Sequence, residues 1–167
     1  GMRMVGDTAT FGILTVSDRA NSGEYEDEGG PAILGFLNEA VASDWSHHYR
    51  IVPDESAIIS EALIEMVDEL GCDVVVTTGG TGPAERDVTP EATMAVCDRI
   101  LPGFGEQMRM ISLQYVPTAI LSRQLGGTRG KSLIFNLPGR PKAIRETIDE
   151  LWKACLLYTS DAADEGL

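Results

Sequence analysis

The chain has 167 residues, 43% of them hydrophobic and 23% charged, which is typical of one globular domain with a single substantial core. Thirteen basic and 26 acidic residues give a formal net charge of −13, which disfavours binding to nucleic acid or to anionic membrane surfaces. No apolar run approaches the ~20 residues that a membrane-spanning helix needs, and no signal-peptide pattern is present.

In chain order, apolar periodicity and turn residues predict strands that alternate with helices. Strands are predicted at residues 10–18, 49–53, 73–78 and 132–136, with 118–123 either a strand or irregular. Helices are predicted to begin at Pro31, near Ser56, at Thr89 as N-cap, after Gly103 and after Gly139. The alternation indicates an α/β fold: three layers, αβα, around a mostly parallel, doubly wound sheet.

The domain boundaries follow from composition. Residues 1–9 are expected to be a tag and N-terminal extension, because Gly1 precedes Met2. Residues 10–155 are expected to form the single domain. Residues 156–167, LLYTSDAADEGL, are acidic and rich in small residues, and we expect a disordered or artefactual tail.

The three cysteines, Cys72, Cys97 and Cys155, are scattered and form no CxxC pair. Each lies among apolar residues, so the pattern favours buried free thiols over disulfides or a zinc site. A reducing, cytoplasmic location fits that pattern.

Ligands of doubly wound sheets bind beyond the carboxyl ends of the strands. Four segments are therefore expected to share one edge of the sheet. They are Ser17–Asp18, Pro53–Asp54, the loop TTGGTGPAERDVTPEAT at residues 77–93, and Asn136–Arg140.

Two familiar phosphate-binding motifs do not fit this chain. The turn at Gly80 lacks the third glycine of a dinucleotide fingerprint, because Glu85 occupies that position. The GKS at residues 130–132 lacks the first P-loop glycine, which would fall at Leu125. The two histidines, His47 and His48, are predicted to be surface residues rather than catalytic bases.

The glycine-rich loop nevertheless predicts a phosphate site. Gly79, Gly80 and Gly82 would let backbone N–H groups approach a ligand, next to the N-terminus of a helix. Thr78 and Thr81 add hydroxyl groups. The pattern favours phosphoryl or nucleotidyl transfer, which depends on positioning and charge neutralisation rather than on a strong base.

Charged residues at the same edge suit a magnesium-bound phosphate. Asp54 and Asp87 are the expected Mg²⁺ ligands, and Arg86 and Arg140 are expected to balance phosphate charge. Structural alternatives remain open: Asp54 could cap the second helix, Asp87 could cap a turn, and Arg86 could be a solvated side chain.

Five segments together resemble the molybdopterin adenylyltransferases of the MogA type, a fold shared with MoaB proteins and the G domain of gephyrin. The resemblance covers residues 11–153. Its segments are LTVSDRANSGEYEDEGGPA, IVPDESAII, TTGGTGPAERDVTPEAT, LPGFGEQMRMISLQYVPTAILSRQ and NLPGRPKAI.

The resemblance implies a homotrimer that transfers AMP from Mg-ATP to the terminal phosphate of molybdopterin and releases pyrophosphate. The product would pass to a MoeA-type protein that inserts molybdate. By motif position, Asp54 and Asp87 match the two catalytic aspartates of the family. The substrate-binding segments of the family match Ser17, Asp18, Gly79, Gly80, Thr81, Gly82, Glu106, Asn136, Pro138 and Gly139.

Two other functions remain open on the same fold. One is a MoaB-like module that binds molybdopterin without turnover, and the presence of both Asp54 and Asp87 weighs against it. The other is a trimeric scaffold, as in gephyrin, which the lack of a second module in this sequence disfavours.

Overall fold

A computed structural model describes residues 8–42 and 44–159, with side chains as far as Trp152. The chain forms one mixed sheet with the strand order β2-β1-β3-β6-β5-β4. Its strands are β1 (Ala9–Val16), β2 (Trp45–Val52), β3 (Val74–Thr78), β4 (Arg99–Ile100), β5 (Gly126–Arg129) and β6 (Ser132–Leu137). The first four in that order are parallel, and β5 and β4 are antiparallel to their neighbours.

Helices connect the strands and cover both faces of the sheet. They are α1 (Asp18–Asn21), α2 (Gly29–Ala40), α3 (Ser56–Ile64), α4 (Thr89–Val96), α5 (Pro102–Leu113) and α6 (Pro141–Thr159). A π-helical segment, Glu65–Glu69, extends α3, and a 3-10 helix, Pro117–Leu121, follows α5. Proline lies in the first turn of α4 and of α5, where a missing N–H does not matter.

The core has two layers. On one face, α2 and α6 pack on the sheet through Ile33, Phe36, Leu37, Ile144, Ile148 and Leu151. On the other face, α3 and α4 pack through Ile59, Leu63, Met66, Ala92 and Val96. Successive residues of β3 belong to opposite clusters, as the two-residue period of a strand requires. The predicted three-layer, mostly parallel architecture is therefore confirmed.

The register of the parallel strands determines where the loops begin. Val16 of β1 is aligned with Val52 of β2, and Thr78 of β3 is aligned with Leu137 of β6. Thr15 pairs with Thr78, so all four strands end within about one residue of a common line. The four segments that the sequence predicted to share an edge do share it.

Several element predictions need correction. β2 begins at Trp45, four residues earlier than predicted, because exposed polar residues hid an edge strand. Residues 117–121 form a 3-10 helix rather than a strand. The antiparallel pairing of β4 with β5 was not predicted, since Gly126 and Gly127 carry no strand signal.

The C-terminal helix passes the expected domain boundary. α6 continues to Thr159, four residues into the segment predicted to be a tail, because LWKACLLYT contains good helix formers. The remaining predicted tail, residues 160–167, and residues 1–7 of the N-terminal extension lie outside the described part of the chain.

The buried Leu63 in α3 tests the second core layer. We expect Leu63→Ala to lower the free energy of unfolding by about 2–5 kcal/mol, because the lost side chain leaves a cavity against the sheet. The neighbouring Ile64 is 38% exposed, and Ile64→Ala should cost less than about 1 kcal/mol. Urea unfolding at one protein concentration measures both, and equal losses would contradict this packing.

Candidate active site

Two aspartates link the ends of β1 and β2 by a reciprocal pair of hydrogen bonds. The backbone N–H of Asp18 donates to Asp54 Oδ2 at 2.9 Å, and the backbone N–H of Asp54 donates to Asp18 Oδ1 at 3.0 Å. Each carboxylate thus satisfies the amide that starts the opposite loop. Asp54 does not cap α3, whose N-cap position is Glu55 with no side-chain bond.

Arg86 completes this cluster. Its Nε and Nη2 atoms donate to the two carboxylate oxygens of Asp18 at 2.7 and 2.9 Å. The Arg86 side chain is 61% exposed, but its guanidinium forms a two-point ion pair with Asp18 rather than standing free in solvent. Hydrogen bonds from Arg86 and from the Asp54 amide lower the pKa of Asp18 below its ordinary 3.8.

Asp54 has the opposite shift. Partial burial raises its pKa above 3.8, and the nearby negative charges of Asp18 and Asp87 act in the same direction. Three carboxylates therefore face one guanidinium, and the cluster has excess negative charge.

The glycine loop lies directly beside these aspartates. Gly79 has a φ of +96°, and a Cβ atom there would lie 2.3 Å from the carbonyl oxygen of Val16. Gly80 has a φ of +68°, and a Cβ atom there would lie 2.3 Å from Thr89 Oγ1 and 3.2 Å from Asp54 Oδ1. Only glycine fits both positions without strain, so the backbone itself forms the surface next to Asp54.

Asp87 folds back onto the same loop. Its Oδ2 accepts the Ala84 amide at 3.1 Å, so the predicted turn-capping role is present. The same oxygen lies against Gly82, where an added Cβ would be only 2.9 Å away. Asp87 therefore both closes its turn and directs a carboxylate towards the glycine segment.

Thr89 differs from its predicted role. It is the first residue of α4 rather than the N-cap, and its hydroxyl donates to the carbonyl oxygen of Gly79 at 2.9 Å. The Thr89 amide donates to Gly80 O at 3.1 Å. The start of α4 is thus tied to the glycine turn.

Three amides of the loop are available to a ligand. Among the hydrogen bonds of the described residues, none uses the N–H groups of Gly80, Thr81 or Gly82 as donors. The hydroxyl of Thr78 is already committed, because it donates to Pro138 O at 2.7 Å. The backbone of the loop, more than its side chains, offers the free donors.

Two cavities flank this loop. The smaller, about 80 Å³, lies on the α2 side and is lined by Ser17, Tyr25, Asp27, Thr78, Gly79 and Gly139. The wider, about 270 Å³, lies on the side of the 3-10 helix and is lined by Thr81, Gly82, Ser122, Gln124, Pro138 and Arg140. Two separate ligand groups could thus meet at the glycine loop.

Two predicted site residues lie elsewhere. Asn136 is fully buried, and its Nδ2 donates to the hydroxyls of Thr77 and Thr93, both at 3.0 Å, so it joins β6 to β3 and α4. Glu106 is exposed on α5 and lines a different depression beside α4. Among the described hydrogen bonds, neither side chain bonds to the glycine segment, Gly79–Gly82.

Sequence reasoning missed a residue at the start of α2. Asp27 accepts hydrogen bonds from Thr15 Oγ1, from the amides of Gly29 and Gly30, and from the Tyr49 hydroxyl. Burial and the hydrogen bond to Asp27 raise the pKa of Tyr49 to about 12. The sequence signal for this role was an acidic residue shortly before Gly29-Gly30-Pro31, since acidic side chains are stabilised at helix N-termini.

The donor set fits a hard divalent cation that also contacts a ligand. Asp54 and Asp87 are oxygen donors, and the excess negative charge around them calls for a positive ion. Among the residues with described side chains, 8–42 and 44–152, no cluster of three or more His, Cys, Asp or Glu could hold a metal. Magnesium suits such a site, because it takes one or two carboxylates and completes its shell with phosphate oxygens and water.

The chain matches the family described as "Probable molybdopterin binding domain" over residues 12–157. The chain belongs to this family.

Both thiols with described side chains, Cys72 and Cys97, are free, as expected, and burial raises the pKa of each to about 11. In the described part of the chain, no helix is long and apolar enough to cross a bilayer.

Similar proteins agree with this membership. The molybdopterin adenylyltransferase of Helicobacter pylori J99 is 58% identical over 147 residues, which are 88% of this chain and 84% of that protein. The Mog protein of Mycobacterium ulcerans has a TM-score of 0.82 at 36% identity, covering 93% of this chain and 99% of its own. MoaB of Thermus thermophilus, a molybdopterin biosynthesis enzyme, has a TM-score of 0.78 at 42% identity, covering 91% and 97%.

The opposite pKa shifts of Asp54 and Asp18 predict opposite effects on stability. Because the native pKa of Asp54 is raised, its ionised form destabilises the folded state, and Asp54→Asn should raise the melting temperature at pH 7. That gain should disappear below about pH 4, where the carboxyl group is neutral in both states. Asp18→Asn should lower the melting temperature at pH 7, since its native pKa is depressed.

Melting curves of both variants and the wild type, from pH 3 to pH 8, measure these differences. A lower melting temperature for Asp54→Asn at pH 7 would contradict the electrostatic account of the cluster.

Proposed function

We propose that this chain is a molybdopterin adenylyltransferase of molybdenum cofactor biosynthesis, a nucleotidyltransferase that uses ATP and Mg²⁺. Free amides of Gly80, Thr81 and Gly82, adjacent to the carboxylates of Asp54 and Asp87, are the observation that carries the proposal. High identity to relatives that bear this enzyme name supports it.

The reaction forms a bond between a terminal phosphate oxygen of molybdopterin and the α-phosphorus of ATP. The bond from that phosphorus to the bridging oxygen of pyrophosphate breaks, and pyrophosphate takes the electron pair. The attacking phosphate is already ionised at pH 7, so no general base is required. This agrees with a site that lacks histidine, since His47 and His48 lie on the edge strand β2.

The chain supplies positioning and charge stabilisation. The amides of the loop would donate to phosphate oxygens, where fixed dipoles stabilise developing charge at little reorganisation cost. Asp54 and Asp87 would hold Mg²⁺, which neutralises phosphate charge when bound. Arg86 keeps Asp18 engaged, so that the Asp18 carboxylate continues to hold the Asp54 backbone.

In this proposal the two substrates would occupy separate cavities on either side of the loop. Their phosphate groups would meet at Gly79–Gly82, beside the aspartates. Arg140, exposed at the mouth of the wider cavity, is a further candidate contact for phosphate.

Pyrophosphate release tests the enzyme directly. Incubation with molybdopterin, ATP and Mg²⁺ should release pyrophosphate, and Asp87→Asn should lower kcat by about a hundredfold or more, because a neutral amide is a poor Mg²⁺ ligand. Asp98→Asn is the matched control, since Asp98 also accepts a backbone amide, that of Gly130. Asp98 directly precedes β4 and bonds the turn between β5 and β6, so its variant should keep wild-type turnover.

Other outcomes would decide against this function. Tight molybdopterin binding by the wild type without pyrophosphate release would identify a binding module instead. Wild-type turnover in Asp87→Asn would refute the role of that carboxylate.

We also propose that the chain is a homotrimer, as the family resemblance implies. Large apolar side chains are exposed on α5 and on the adjoining 3-10 helix, and a second copy would cover them. They are Met110, Leu113, Tyr115, Ile120 and Leu121. The proposed setting is the cytoplasm, with the product passing to a MoeA-type protein.

Sedimentation equilibrium should give about three times the chain mass of 18.0 kDa. Ile120 is 69% exposed, and Ile120→Glu should dissociate the trimer by burying a charge in the interface. Ile64→Glu, on α3 at the opposite face of the sheet, is the control and should leave the mass unchanged. A monomeric wild type would refute the assembly.

A further inference from the structure

Arg123 follows the 3-10 helix and reaches back to the glycine loop. Its Nε donates to Gly82 O at 2.9 Å, and its Nη2 donates to Asp87 O at 2.5 Å. Its Nη1 donates to the carboxylate of Glu91 in the first turn of α4. The Arg123 amide also donates to Thr81 O at 2.8 Å.

These contacts span the whole segment between the free amides and the catalytic carboxylate. Gly82 and Asp87 are the two ends of the turn, and one guanidinium holds the carbonyl oxygens of both. Glu91 fixes the same guanidinium to α4. Since the guanidinium is rigid and planar, the separation of Gly82 from Asp87 is set by its fork geometry.

We propose that Arg123 is a positioning residue for adenylyl transfer: it holds the Asp87 carboxylate at the distance from the Gly80–Gly82 amides that the reaction needs. This inference rests on the function proposed above. Arg123 acts through the backbone of Asp87 and lines neither of the two cavities beside the loop. Asp87 and Gly82 precede Arg123 by 36 and 41 residues in the chain.

Lysine could not replace this contact. An ammonium group is a point charge whose three donors cannot match the spacing of Gly82 O, Asp87 O and the Glu91 carboxylate. Arg123→Lys would therefore keep the positive charge and lose the fixed spacing. A displacement of about 1 Å at a catalytic group can lower the rate by about a hundredfold.

Arg129 provides a matched control elsewhere in the fold. It bonds both carboxylate oxygens of Asp68, at 3.1 and 2.7 Å, and donates to Val96 O at 2.9 Å. It thus makes the same kinds of bond at the C-terminal end of α4, away from the glycine loop. A general loss of stability should appear in both variants, whereas a loss of positioning should appear only at Arg123.

Steady-state kinetics with molybdopterin and Mg-ATP are the first measurement. We expect Arg123→Lys to lower kcat by about tenfold or more while the KM for ATP changes less than about twofold. Arg129→Lys should have wild-type kcat. Wild-type kcat in Arg123→Lys, or an equal loss in Arg129→Lys, would overturn the proposal.

A double variant separates positioning from an independent effect. If Arg123 acts only through Asp87, then Arg123→Lys should reduce the residual kcat of Asp87→Asn by less than about twofold. A further tenfold loss in that background would overturn the proposal.

Amide hydrogen exchange tests the anchoring without substrates. The amides of Ala84, Asp87 and Thr89 are hydrogen-bonded within the loop. They should exchange about tenfold faster in Arg123→Lys and at wild-type rates in Arg129→Lys. If the wild type releases no pyrophosphate, the proposed enzyme activity is refuted. Unchanged amide exchange in Arg123→Lys would separately refute the anchoring role of Arg123.

Discussion

The parallel register of four strands is the constraint on which the site depends. β2, β1, β3 and β6 are hydrogen-bonded side by side and end at one edge of the sheet, so their following loops must start together. The exchange between Asp18 and Asp54 is possible only because Val16 and Val52 are aligned. A slip of one residue in a strand would turn its side chains to the opposite face and separate these carboxylates.

Charge poses the main physical difficulty for this protein. A chain with a net charge of −13 repels phosphorylated ligands at long range, and the site itself contains more carboxylates than cations. Neutral backbone amides and a bound divalent cation are the contacts that such a site can offer to phosphate. Burial raises the pKa of Asp54, and the charges of Asp18 and Asp87 raise it further, so this carboxylate lies where a nearby cation would stabilise its ionised form.

The glycine loop combines close approach with rigidity. Gly79 and Gly80 bring the backbone against β1 and Asp54, where any side chain would collide. Flexible residues would leave such a loop mobile, but Thr89 of α4 and Arg123, which follows the 3-10 helix, donate hydrogen bonds to its carbonyl oxygens. Its geometry is therefore preorganised, which is what electrostatic stabilisation of a transition state requires.

The sequence by itself determined the layer architecture and the main strands and helix starts, because hydrophobic periodicity is a local property. It also determined that Asp54 lies near Asp87, because both follow the carboxyl ends of parallel strands, which meet at one edge of the sheet. It did not reveal the antiparallel pairing of β4 with β5, because the glycines of β5 carry no strand signal. Only the tertiary structure decided that Arg86 pairs with Asp18, that Arg123 holds the loop, and that Asn136 is buried in the core. Those partners are 32 to 68 residues apart, and their contacts depend on the exact paths of loops that no local pattern encodes.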